Sequence, residues 1–536
     1  MKTGTFKWVR VPVLIPVVLM FCCGLTVHAQ EASPVKPIKY RSLFDQDLLQ
    51  RGLVDMELVN DRSLKNRTSF LVQGICRGTK PLKSAEVDNT KTFDNFFRRY
   101  YFPMMTHPNE LGNIAQMRQE LMKKYFGGIK NDAAAQEVRD RLNDLTLSYM
   151  WGLCGTKLGT FHPAVRYNAM LIIGDLNSRG AESIGNPRPD EPLLKALEVM
   201  RAELISKDQI DAVRVAALIG ITRHADLDRH RPEGRRIPDV ALRNLIGDLL
   251  RLAAEKDAPA GRTAQGHTWM RRQAVEALAL LATTRPIGPV AELMDKIISD
   301  PDEPLSLRCT VAEAQGKMRS PLAEGVTAEQ AAMKLVRLAD EILGTELDQL
   351  DPYLTELEAA EDANTGSGSG INGGSRFSEG GGIDLFSASS SPTDDDDTTA
   401  LEPERAPKVV ATQRRGKARL NCVYNGLFGN EGGPGLAAGI KDASAKANVG
   451  SVEKLISDTE DILVDQAPLG EKPLFAEVKT YFDLINVQRE AFGAIAPPAR
   501  EAAPVELGPG GLDAGPGGET DSGPAETLPP ELGSLP

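Results

Sequence analysis

The chain has 536 residues and a formal net charge of -12, with 41% hydrophobic and only 5% aromatic side chains. The charge is unevenly placed: residues 1–29 carry +3, the stretch 359–404 carries -9 and the tail from Glu501 carries -7, which leaves +1 for everything else. A near-neutral body with acidic arms has no basic face to neutralise phosphates, so nucleic acid is excluded as a partner.

The first element in chain order is an export signal spanning residues 1–29. Lys2, Lys7 and Arg10 supply its positive end, Val11 to Leu25 its apolar stretch, and Val27-His28-Ala29 a small-x-small cleavage site. The mature protein is therefore expected to begin at Gln30, in a periplasmic or extracellular space. Retention as an anchor is the alternative, because Val11 to Val27 lies close to the roughly 17-residue minimum for a membrane span. Pro12, Pro16 and the cleavage pattern favour removal. No later apolar run is long enough to cross a membrane, so no stable span is expected after cleavage. Cys22 follows the bulky Phe21, where a lipidated cysteine follows a small residue.

Residues 30–92 form a segment of ambiguous pattern. Val54, Met56 and Leu58 alternate as in a strand, yet their surroundings suit a short helix equally well. Cys76, Cys154, Cys309 and Cys422 remain after signal removal, and none has a Cys-x-x-Cys partner. That spacing excludes zinc ribbons and haem attachment. Cys154 and Cys309 sit in apolar helical patterns, where a lone cysteine acts as a small hydrophobe, and no disulfide framework is expected.

Residues 93–358 carry a repeat. Four segments align on an arginine preceded by an apolar residue: Val165-Arg166, Val213-Arg214, Met270-Arg271 and Leu307-Arg308. Three positions after the arginine stand Ala169, Ala217, Ala274 and Val311, and seven after it Ile173, Ile221, Leu278 and, as the exception, Gln315. These positions share one face of a helix, with a small residue at its middle that admits a close neighbour. Three of the four follow another amphipathic segment: Glu137 to Leu153, Glu191 to Ile205 and Asp239 to Ala254. The arginines are 48, 57 and 37 residues apart, around the roughly 40 to 47 of helix-pair repeats. Pro163, Pro238, Pro289 and Pro304 lie near helix starts, where a missing N–H costs nothing.

This pattern resembles the HEAT family, most closely in Asp211-Ala212-Val213-Arg214 and Ala164-Val165-Arg166, over about residues 137–345. The family's second helix opens on Asp-x-Val-Arg, followed by a small residue and a leucine. Only the second copy here keeps the aspartate, which weighs against the Asp and Arg ladder that links repeats in that family. The resemblance implies an all-α fold, an α-solenoid of HEAT-like helix pairs, used for binding other proteins.

Ala328 to Leu343 makes a further helix. The acidic Gly/Ser-rich segment 359–404 reads as a disordered insert, and Asp394 to Asp397 within it as a solvated run rather than a calcium site. Residues 405–495 carry helices at Val409 to Leu427, Val452 to Leu463 and Leu474 to Phe492. They either complete the solenoid or form a separate hairpin on a tether. Residues 496–536 form an acidic Pro/Gly-rich tail, with 15 Pro or Gly among its last 36 residues.

Two clusters are candidate sites. Phe93, Phe96, Phe97, Tyr100, Tyr101 and Phe102 place six aromatics in ten residues. At helical spacing 93, 97, 100 and 101 form a stripe, which serves either as a core seal for the end of the repeat array or as a groove in which Phe93, Phe97 and Tyr101 bind a partner. The second cluster comprises His224, Asp226, Asp228 and His230, whose side chains would converge in an extended segment as a divalent metal requires. Arg223, Arg229 and Arg231 interleave with them and oppose a cation, so no metal is assigned.

Catalytic motifs are absent: no His-Glu-x-x-His, no phosphate-binding Gly-x-x-x-x-Gly-Lys and no Gly-x-Ser-x-Gly occurs, and Gly368 to Gly373 fits a dinucleotide pattern only by letter. The expectation is a non-enzymatic exported scaffold with a protein partner and no cofactor. The alternatives are a metal-dependent protein using His224–His230 and a self-assembling envelope component. N-terminal sequencing of the exported protein is expected to start at Gln30; a chain beginning at Met1 would mean that the segment is kept.

Overall fold

The computed structural model describes residues 39–155, 160–182, 188–366, 406–430, 433–470 and 473–496. The segment expected to be an export signal, nearly all of the acidic insert and the tail lie outside them. The described residues are mostly helical, and their named strands form a two-stranded antiparallel ribbon, Asn177–Arg179 with Glu191–Pro192, paired Asn177 to Pro192 and Arg179 to Glu191. Two compact units are present: Met1–Gly128 with Asp144–Ala169, and Ile129–Asn143 with Met170–Pro536.

The first unit holds α1 (Gln46–Leu49), α2 (Met56–Asn60), α3 (Arg62–Cys76), α4 (Thr90–Asn95), α5 (Phe102–Met104) and α6 (Ile114–Glu120). The ambiguous stretch around Val54, Met56 and Leu58 is helical from Met56. Asp55 accepts a hydrogen bond from the Leu58 N–H, and Asp61 does the same for Ser63 and Leu64 at the start of α3. These side-chain caps satisfy amide groups that a helix start leaves free.

Two long helices, α7 (Ala133–Cys154) and α8 (Pro163–Asp175), run through both units. In the second unit follow α9 (Leu194–Ile205), α10 (Asp211–Arg229), α11 (Asp239–Ala254), α12 (Ala264–Ala282), α13 (Gly288–Ser299), α14 (Leu305–Lys317), α15 (Ala328–Gly366), α16 (Pro407–Phe428), α17 (Ala443–Asp465) and α18 (Phe475–Ile495). The helix expected from Glu191 starts only at Leu194, because Glu191 and Pro192 are taken by the ribbon. The helix expected at Ala328 runs on to Gly366, past Pro352.

Helices pair as α9 with α10, α11 with α12, α13 with α14 and α15 with α16. The second members also touch in succession, α10 to α12, α12 to α14 and α14 to α16. Val165, Val213, Met270 and Leu307, the residues before the repeat arginines, are all buried, as are Ala169, Ala217, Ala274, Val311 and the exceptional Gln315. Small residues set these distances. A Cβ on Gly220 of α10 would collide with the Met200 sulfur, and one on Gly174 of α8 would come within 2.8 Å of the Gly220 Cα. A Cβ on Gly316 of α14 would strike the Asn425 carbonyl of α16. The C-terminal helices therefore dock on the repeat region directly: α16 on α14 and α15, α17 on α16, and α18 on α15 and α17.

The repeat arginines act within each pair. Arg166 Nε donates to the Cys154 carbonyl at 3.2 Å, Arg271 Nε to Ala253 at 2.9 Å and Arg308 Nε to Ile298 at 3.3 Å, while Arg214 Nη2 donates to the Ser206 carbonyl. Each carbonyl lies at the end of the preceding helix, where the last turn leaves acceptors unpaired. Salt bridges then link successive pairs. Arg271 makes a two-pronged pair with Glu303 at 2.7 and 2.8 Å, Arg308 pairs with Glu341, and Asp211 takes both Arg262 and Arg214. An inter-repeat ladder thus exists despite the single aspartate in the motif position, because its acids come from loops and neighbouring helices.

Arg271 and Glu303 are both buried. Removing one partner of a buried pair strands the other charge at a cost of about 3–5 kcal/mol. Glu303→Ala is expected to lower unfolding stability by that amount in urea titrations, and a loss below about 1 kcal/mol, the worth of a surface pair, would show that the pair does not hold the repeats together.

Candidate partner-binding cleft

Neither cluster singled out in the sequence forms an open site. Phe93, Phe96, Phe97, Tyr101 and Phe102 are buried. Phe93 and Phe97 sit 5.1 Å apart between centroids, Phe96 and Phe97 5.2 Å, and Phe97 and Tyr125 5.2 Å, in the edge-on geometry that aromatic rings prefer. Residues 96–101 form a π-helix, whose wider turn brings positions i, i+1, i+5 and i+6 to one face. Phe96, Phe97, Tyr101 and Phe102 therefore point inward together, while Tyr100, placed in the stripe by ordinary helical spacing, stays half-buried. The Tyr101 hydroxyl donates to the Met117 carbonyl at 2.8 Å. A groove in which Phe93, Phe97 and Tyr101 meet a partner needs exposed ring faces, and these rings have none to offer; they are core.

The His224 to His230 segment is the last turn of α10 and its cap, not an extended strand. Successive even-numbered side chains therefore diverge. His224 and Asp228 turn inward and are buried, whereas Asp226 is half-buried and pairs with Arg229 at 2.8 Å, and His230 is exposed. No group of three or more potential ligands converges anywhere among the described residues. Asp228 accepts from the Ile237 N–H at 2.7 Å and lies 3.6 Å from Arg231; burial pushes its pKa up against these favourable contacts. The His224 ring nitrogens make no well-formed hydrogen bond, although the nearby Gly174 carbonyl, which also accepts from Arg223, favours the charged ring. Burial above all, with the charge of Arg223 beside it, pushes the imidazole from its ordinary 6.5 down to about 3.

The thiols are equally withdrawn. Cys76, Cys154 and Cys309 are buried and Cys422 is half-buried, all four free. Burial raises Cys76 and Cys422 to about 12 and Cys309 to about 11. They stay protonated and so are weak nucleophiles.

What the second unit does present is an open cleft of about 990 Å³ between loops. Its walls come from the segments that follow α10, α12 and α14, so three successive repeats each contribute one arginine: Arg236, Arg285 and Arg319. Each guanidinium is steadied by a backbone carbonyl. Arg236 Nε donates to Arg231 at 3.1 Å, Arg285 Nη2 to Ile237 at 3.4 Å and Arg319 Nη1 to Thr284 at 3.2 Å. Arg285 also pairs with the exposed Asp239 at 3.2 Å. Ile237, Pro238 and Pro286 add apolar surface, and Glu233 is the other acid of the lining. Sequence reading passed over these arginines because a basic residue just past a helix end is ordinarily a counter-charge to the helix dipole. The usable signal was its recurrence after three consecutive second helices.

No protein-family model, curated protein or solved structure matches this chain. Among the described residues no helix is long and apolar enough to cross a membrane.

The unfolded chain protonates His224 near pH 6.5, while the folded chain refuses that proton until about pH 3. Stability from this group is complete above about pH 6.5 and is lost progressively as pH falls, by at most about 1.4 kcal/mol per pH unit. His224→Leu is expected to flatten the decline of melting temperature between neutral and acid pH; an unchanged slope would place the acid sensitivity elsewhere.

Proposed function

We propose that this chain is an exported, non-enzymatic scaffold of HEAT-like helix pairs that holds a protein partner. The observation that carries the reading is the recurring tie: four second helices carry an apolar residue followed by an arginine, and each arginine reaches back to a carbonyl at the end of the helix before it. Repetition of one helix-pair unit, with contacts mainly to its neighbours, is the organisation of repeat proteins whose extended surfaces serve binding. The step from that organisation to a role is an analogy. Support for binding over chemistry comes from the groups themselves, since the imidazole of His224 and most of the thiols are held in buried, uncharged states while the exposed Arg319 and the half-buried Arg236 and Arg285 gather around one cleft.

Export is part of the proposal and rests on Lys2, Lys7, Arg10 and the Val27-His28-Ala29 site in the sequence. The partner would dock along the loop edge, where rigid helices hold the binding side chains and the loops vary freely.

A photo-cross-linking side chain placed at Arg319 in the exporting cell tests the reading. A discrete adduct with a second protein is expected from this position, and none from the same probe at the exposed Phe70. Adducts with further copies of this chain alone would instead favour a self-assembling component, and no adduct at all would sink the scaffold.

A further inference from the structure

A guanidinium carries five N–H donors in a fixed fork. Arg236 and Arg319 each spend one on a backbone carbonyl, and Arg285 spends one on a carbonyl and one on Asp239. The rest stay available on the lining of the cleft. Directly behind Arg236, whose Nε holds the Arg231 carbonyl, the buried Arg231 leaves Nε and Nη1 without hydrogen-bond partners, with Asp228 3.6 Å from Nη1. Arg231, Arg236 and Arg285 all act on that one buried carboxylate, Asp228. The charged groups are therefore four guanidiniums, counting Arg319, against Asp228, Glu233 and Asp239. The surplus is cationic, and it is pinned to the backbone rather than carried on loose side chains.

From this geometry we infer that the cleft receives the carboxylate side chains of an acidic polypeptide segment, with Arg236, Arg285 and Arg319 as its receptors. The inference rests on the scaffold reading and specifies the chemistry of the partner. A guanidinium fork matches a carboxylate with two parallel hydrogen bonds. The cleft is lined by three loops and, at about 990 Å³, holds far more than one small anion, and the exposed Pro238 and Pro286 offer apolar surface to the backbone and stems of a peptide. Glu233 and Asp239 beside the arginines disfavour a phosphate polymer, which needs an unbroken basic track.

Fluorescence anisotropy with a short labelled oligo-glutamate peptide and the full exported chain tests this. Saturable, salt-sensitive binding is expected, weakened about tenfold by Arg319→Gln, the loss of one charge-assisted contact, and further by Arg319→Gln combined with Arg236→Gln. Arg319 is exposed, so its single variant is expected to melt like the parent chain, which separates lost binding from lost folding. Absence of saturable binding, equal binding by both variants, or equal displacement by oligo-glutamine or by inorganic phosphate at matched ionic strength would overturn the inference. A partner adduct in cells without peptide binding would end this inference and leave the scaffold standing. Peptide binding without any partner adduct would do the reverse.

Discussion

The helices of the repeat region depend on how their C-terminal carbonyls are satisfied. A helix end leaves its last acceptors open, and burying them unpaired costs a few kcal/mol each. Here the donor is an arginine of the next helix, placed in the first turn of α8, α10 and α14 and about two turns into α12. Arg166, Arg271 and Arg308 are all buried in doing so. Burying a guanidinium is itself expensive, and the cost is met only when its other donors are engaged. Arg271 meets that condition fully with Ala253 and Glu303. One side chain thus closes a helix pair and, through its acid, fastens the next pair to it.

The same rule governs the join to the C-terminal helices with the charges exchanged. Glu346 of α15 is fully buried and receives Arg415 at 3.0 Å and Arg419 at 2.8 Å from α16. Burial raises its pKa while the two arginines oppose the rise. Gly316 and Gly426 let the α14 and α16 backbones approach where any Cβ would collide. The apolar face of α16, with Val409, Leu420, Val423 and Leu427 buried, is in this way committed to the second unit.

Function follows from what the packing leaves over. The rings of Phe93, Phe96, Phe97, Tyr101 and Phe102 and the imidazole of His224, groups that ordinarily mark sites, are consumed by the interior. The side chains left at the loop edge are arginines, and their shared feature is anchorage to carbonyls of the loops themselves. The proposed binding surface rests on packed helix pairs, so its geometry does not depend on a single long loop staying ordered.

How much of this was legible in advance depended on whether the signal was local. Periodicity placed α7, α9, α11, α16 and α18 to within a few residues, because an amphipathic helix announces its buried face through spacing alone, but it passed over α13, ended α15 at Leu343 and began α17 only at Val452. Val165, Val213, Met270 and Leu307 and the small residues after them were identifiable as interior for the same reason. The failures were of three kinds, each nonlocal. The π-turn at Phe96–Tyr101 changed which rings face inward; His224 to His230, extended by its alternating letters, was drawn into α10; and the acids Glu303 and Glu341 stand 32 and 33 residues after their arginines, beyond the reach of any pattern within one helix. The cleft was invisible because Arg236, Arg285 and Arg319 lie 49 and 34 residues apart in sequence. Sequence by itself determined which residues are helical and which face is apolar, since both are set by neighbours one turn away. Which charges meet, which rings are sealed and which arginines share an opening was decided only by tertiary structure, because those depend on distances between segments that no local pattern encodes.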